Sequence, residues 1–99
     1  MEDKTILTDQ HIEGMLAECE GWRRDGDYLK KDFIFANFAE INDFLPYMAG
    51  AIVGLNHHPD FEFDSGEKRV SVSVTTHSEG CITQSDFSLA LALNAWRDA

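Results

Sequence analysis

Three of the four histidines in this 99-residue chain stand in two short runs, Asn56-His57-His58-Pro59 and Thr75-Thr76-His77. Imidazole titrates nearer neutrality than any other side chain, so a histidine can both deliver and remove a proton at working pH. Three of them in one place can divide those jobs. Asp60 follows the pair and Asp86 lies a short way beyond His77. From these residues alone other readings stay open. His57 and His58 could end a helix, where cationic side chains suit the helix dipole, with His77 an ordinary turn residue. Histidine with Asp60 or Asp86 could hold a metal, although the spacing matches no zinc signature. His11 falls within a helical pattern and reads as a surface residue. No Ser-His-Asp or Cys-His nucleophile stands out.

The elements around these runs can be read from periodicity. Thr8 can cap a first helix carrying Ile12, Met15 and Leu16 at helical spacing and ending near Gly21-Trp22. A polar turn at Asp25-Gly26-Asp27 precedes residues 28–35, rich in strand formers. Asn37 with Glu40 resembles a capping box opening a long second helix through Phe38, Ile41, Phe44, Met48, Ile52 and Leu55. Pro46 should kink that helix or break it, because proline removes one backbone hydrogen bond and clashes with the preceding turn. Gly50 and Gly54 are expected to pack closely on a sheet. Pro59 ends the segment, Phe61-Glu62-Phe63 reads as a short strand, and Asp64-Ser65-Gly66 as a hairpin turn. Val70, Val72 and Val74 alternate with Ser71, Ser73 and Thr75, the pattern of a strand with one buried and one polar face. Thr83 can cap a last helix, with Asp86 in its first turn favoured by the dipole. That helix is apolar on more than one face, which makes it the candidate subunit contact.

The order helix-strand-helix-strand-strand-helix over residues 1–99 predicts a single α+β domain, an antiparallel sheet with helices packed on one face. A domain of this size buries only about two-thirds of its unfolded surface, which favours a homodimer or homotetramer. The formal net charge is −10, from 8 Lys and Arg against 18 Asp and Glu, and disfavours direct nucleic-acid binding. The basic pairs Arg23-Arg24, Lys30-Lys31 and Lys68-Arg69 read as a solvated face. Cys19 and Cys81 form no CxxC pair, so free thiols in a reducing compartment are expected. The opening MEDKTILTDQ lacks the apolar run of a secretory signal, and residues 44–55 are too short to cross a bilayer. These features predict a soluble, cytoplasmic protein with no membrane partner.

The run Asn56-His57-His58-Pro59-Asp60, the strand Arg69-Val70-Ser71-Val72-Ser73-Val74-Thr75-Thr76-His77 and the segment Ile82-Thr83-Gln84-Ser85-Asp86 resemble the signature of the pterin-4a-carbinolamine dehydratases. Gly21-Trp22, Phe33, Phe35, Phe38 and Phe44 fit the same family's aromatic pattern, and the resemblance spans roughly residues 7–96. Val53 stands where that family usually carries an acidic or other polar residue. The resemblance implies elimination of water from 4a-hydroxytetrahydropterin to give the quinonoid dihydropterin, with no metal and no other cofactor. It implies a catalytic cluster of His57, His58 and His77, with His57 and His77 as the acid/base pair and His58 orienting. Asp60, Thr76 and Asp86 are the implied substrate-binding residues. Some family members also serve as dimerisation cofactors of a transcription factor. A pterin-binding or protein-binding module with weak or no turnover is therefore the alternative function.

Overall fold

The computed structural model describes residues 2–98. Its elements are α1 (Asp9–Leu16), β1 (Arg23–Asp25), β2 (Tyr28–Ile34), α2 (Phe38–Leu55), β3 (Asp60–Asp64), β4 (Arg69–Val74), α3 (Gln84–Asn94) and a closing 3-10 turn, Ala95–Asp98. The strands form one antiparallel sheet in the order β1-β2-β4-β3. This is the expected α+β architecture with one strand more than the periodicity predicts. The extra strand, β1, is Arg-Arg-Asp, exposed throughout. With no apolar alternation it has no sequence signal, and it forms because the turn through Gly26 folds it back onto β2.

The sheet has one buried face. Opposite one another across β2 and β4 stand Leu29 and Val74, Lys31 and Val72, and Phe33 and Val70. Val70, Val72 and Val74 are essentially fully buried. Phe44 of α2 joins this face, its ring centroid 4.8 Å from that of Phe33 and 5.1 Å from that of Phe35. Trp96 closes the cluster 5.4 Å from Phe44. Strand alternation splits the expected basic pair at 30 and 31. Lys30 faces the outer side, while Lys31 turns inward and donates to the Glu20 carbonyl at 3.0 Å and to Asn94 Oδ1 at 2.8 Å. Desolvation holds the Lys31 ammonium below its ordinary range. The same Lys31 explains Gly21, which has φ +80° and whose Cβ, if present, would come within 2.8 Å of the Lys31 side chain.

Several local expectations are met. Thr8 Oγ1 accepts from His11 N at 3.1 Å, and Asn37 Oδ1 accepts from Glu40 N at 3.0 Å. His11 is an exposed residue of α1. Others are corrected. α1 stops at Leu16, short of Gly21-Trp22, and the chain turns before Trp22 buries its ring and donates from Nε1 to Asn94 Oδ1. Of the kink or break expected at Pro46 the break does not occur, since α2 continues through the proline as one helix. Burial of Ile41, Phe44 and Met48 on both sides of the proline holds the helix together where local preference would divide it. Gly50 and Gly54 do not pack on the sheet. Both are exposed, and a Cβ added at either would meet nothing within 4 Å. α3 shows no broad apolar flank, because Phe87, Leu89, Ala90 and Leu93 are all buried within this chain, leaving Leu91 as its exposed large apolar residue. Among the described residues, no helix is long and apolar enough to cross a membrane.

Candidate active site

The histidine pair is placed by the way α2 ends. Asn56 takes a left-handed conformation, φ 52° and ψ 43°, which asparagine tolerates better than most residues. Its N–H donates to the Val53 carbonyl and that of His57 to the Ile52 carbonyl, the two bonds of a Schellman termination. The chain is thereby reversed, and His57 turns into the protein while His58 stays exposed.

Around His57 three elements meet. Its Nε2 lies 2.6 Å from Asp86 Oδ1 in the first turn of α3. Its Nδ1 lies 2.6 Å from Glu2 Oε1 on the N-terminal segment. The ring is 4 % exposed and Asp86 0 %. Asp86 Oδ2 accepts from Thr76 Oγ1 at 2.9 Å and from Thr83 N at 2.8 Å. The second bond is half of a capping box, so one carboxylate both starts α3 and anchors the histidine. The Thr83 hydroxyl meets Thr76 Oγ1 at 2.7 Å. An imidazole that donates from both nitrogens satisfies both carboxylates. Glu2 is held below the ordinary carboxylate range, chiefly by its hydrogen bond to His57 and partly by the charges of His57, Lys4 and His58 against an opposing effect of burial.

Thr76 and His77 follow the end of β4. The loop after them closes on Gly80, whose N–H donates to the Thr76 carbonyl at 2.9 Å and whose φ of 67° suits glycine. His77 is exposed and stands edge-on to Tyr28, with ring centroids 6.4 Å apart. Glu2, Lys4, His57, His58, Thr75, Thr76, His77 and Ser78 line a cleft of about 210 Å³. Five of the six residues singled out in the sequence are thus gathered in one place, Asp86 from beneath it. Asp60 is not. It sits on the exposed edge strand β3 and lines a separate hollow with Phe61, Glu62, Ser71 and Ser73. That hollow and a neighbouring one of about 520 Å³ on the same edge are larger than the histidine cleft but contain no histidine. Val53 is 78 % exposed and does not line the cleft. Glu2 was missed by the sequence reading. Nothing in a lone glutamate near the start of a chain marks it as a partner of a residue 55 positions away.

The sequence profile of the family described as "Pterin 4 alpha carbinolamine dehydratase" matches residues 5–96. The chain belongs to that family. It is 36% identical over 86 residues to the "Putative pterin-4-alpha-carbinolamine dehydratase" of Picosynechococcus sp., covering 87% of this chain and 91% of that one. It is 38% identical over 88 residues to the protein of the same name in Sulfolobus acidocaldarius, covering 89% and 94%. Its fold is similar to the crystal structure of the transcriptional coactivator/pterin dehydratase from Brucella melitensis, with a TM-score of 0.84 and 28% identity over 91% of this chain and 96% of that one. Membership covers the elements that carry every cleft residue except the Glu2 and Lys4 of the N-terminal segment. Among the described residues, no group of three His, Cys, Asp or Glu side chains is arranged to hold a metal ion.

Proposed function

We propose that the cleft dehydrates a 4a-hydroxytetrahydropterin to the quinonoid dihydropterin. The reaction breaks the C4a–O bond, adds a proton to the departing hydroxyl so that it leaves as water, and removes a proton from a ring nitrogen. No electrons are gained or lost overall, so the scheme calls for no redox cofactor. It calls for one proton donor and one acceptor within reach of the same ring, which histidines can supply near neutrality.

The observation that supports this reading most is that His57, His58 and His77 line one cleft. Their surroundings favour a division of labour different from the expected pairing of His57 with His77. Both nitrogens of His57 are occupied by carboxylates, so it is suited to orienting the ring and holding charge. His58 and His77 are exposed and suited to exchanging protons with a bound ring and with water. Thr76, tied to Asp86, keeps the end of β4 in register with the cleft.

The test is the dehydration rate of freshly generated 4a-hydroxytetrahydropterin, followed by ultraviolet absorbance, with wild-type protein, with His77→Ala and with no protein. Acceleration by the wild type that falls by about 10²-fold or more in the variant supports the proposal, that being the scale of one acid/base group. No acceleration by folded wild type overturns it.

A protein-binding role is the second reading, favoured by an apolar groove between α2 and α3. Tyr47, Gly50, Ala51, Gly54, Leu55, Ser88 and Ala92 line it, and it measures about 490 Å³. Exposed grooves of this kind mark contact surfaces. In this reading a second copy of the chain seats in the groove to form a homodimer or homotetramer. Sedimentation of the wild type against Gly54→Glu tests it, and an unchanged mass would remove the groove from the assembly.

A further inference from the structure

Residues 2–6 lie against the loop that leads into α3 and are tied to it largely by backbone. Ser85 donates to the Asp3 carbonyl from its N–H at 2.7 Å and from its hydroxyl at 2.6 Å. Gln84 N donates to the Thr5 carbonyl at 3.0 Å, and Ile6 forms an antiparallel bridge with Thr83. This strap carries Glu2 to the side of His57 opposite Asp86. Asp86 by itself would hold one nitrogen. A second carboxylate on the other nitrogen removes the ring's freedom to turn and sets which hydrogens it presents. The charged and titratable groups sharing the space are Lys4 of the strap, whose Nζ is 3.7 Å from Glu2 Oε2, Asp86 of α3, and His58 and His77 of the cleft.

We infer that Glu2 is a positioning residue of the active site, clamping the His57 imidazole against Asp86 so that the strap is a working part of the cleft. This rests on the dehydratase reading. Three features carry it together. The contact is short, at 2.6 Å. The histidine it holds is buried. The strap that delivers it is anchored by bonds independent of the Glu2 side chain. Because of that last feature, the carboxylate can be removed without releasing the strap.

The experiment compares full-length wild type with Glu2→Gln and Glu2→Ala. Turnover is followed by the ultraviolet assay, and the His57 Nδ1 proton by nuclear magnetic resonance. In the wild type a far-downfield, exchange-protected proton is expected on Nδ1. It should move upfield in Glu2→Gln, which keeps a neutral acceptor, and vanish in Glu2→Ala. The kcat of Glu2→Ala should fall by about tenfold, the lower end of what loss of a histidine's supporting carboxylate costs, with KM within about twofold. Glu2→Gln should fall between the two. Loss of the Nδ1 signal with kcat unchanged would make the strap purely structural and overturn the inference while leaving the dehydratase reading intact. No turnover by the wild type would overturn that reading and the inference with it.

Discussion

His57 Nε2 and Asp86 Oδ1 are 2.6 Å apart, and this contact ties the end of α2 to the start of α3 with almost no exposure to water. Every acceptor site that Asp86 uses is filled by a donor from another part of the site: His57, Thr76 Oγ1 and Thr83 N. Among the described residues, no buried side-chain nitrogen or oxygen lacks a partner. A fully satisfied network of this kind is rigid, and removing one member strands the rest.

Asp86→Ala should therefore destabilise the fold by about 3–5 kcal/mol, the cost of leaving a buried partner uncompensated. Urea unfolding monitored by tryptophan fluorescence measures it. Asp86→Asn keeps the volume and one acceptor and should cost less. Equal stability of Asp86→Ala and wild type would mean that α3 and α2 are held by apolar packing alone.

His58→Ala and His77→Ala should behave in the opposite way. Both side chains are exposed, so each change should alter stability by no more than about 0.5 kcal/mol. Turnover should nevertheless fall by about 10²-fold to 10⁴-fold. Parallel melting curves and single-turnover rates separate the two quantities. A variant that melts with the wild type and retains its full rate would exclude that histidine from the chemistry.

The Glu2 contact predicts a pH dependence of stability. The carboxyl is held below its ordinary value of 4.5, so folding favours the ionised form. A depressed carboxylate contributes stability above its unfolded pKa and loses it as pH falls through the folded pKa. Glu2→Gln imitates the protonated side chain. The Tm of the wild type should exceed that of Glu2→Gln at neutral pH, and the gap should close as pH falls below about 4.5. A gap that persists in acid would show that shape rather than charge makes the contact.

Gly50→Ala and Gly54→Ala should each stabilise α2 by about 0.5–1 kcal/mol, since alanine restricts the unfolded chain and its Cβ meets no atom within 4 Å in the fold. Thermal melting at several protein concentrations checks this. A loss of stability that is largest at high protein concentration and shrinks on dilution would instead place these glycines in an interface between copies.

Much of this protein was legible in its sequence because the deciding signals are local. The Val70, Val72 and Val74 alternation determines a half-buried strand, and Thr8 and Asn37 determine two helix starts, while His57, His58 and His77 supply side chains able to carry protons without singling that chemistry out. The tertiary structure decided what depends on contact between distant segments. β1 exists only because β2 is there to pair with it. Pro46 stays within one helix because core burial outweighs its local cost. Asp60 and Asp86 are equally plausible carboxylates along the chain, yet the edge position of β3, exposed along its whole length, leaves the first on the surface, while the capping geometry of α3 puts the second beneath His57. Glu2 had no local signal at all. Its role is a matter of where the strap crosses the fold, and a hydrogen bond between segments so far apart in sequence leaves no periodicity in either of them.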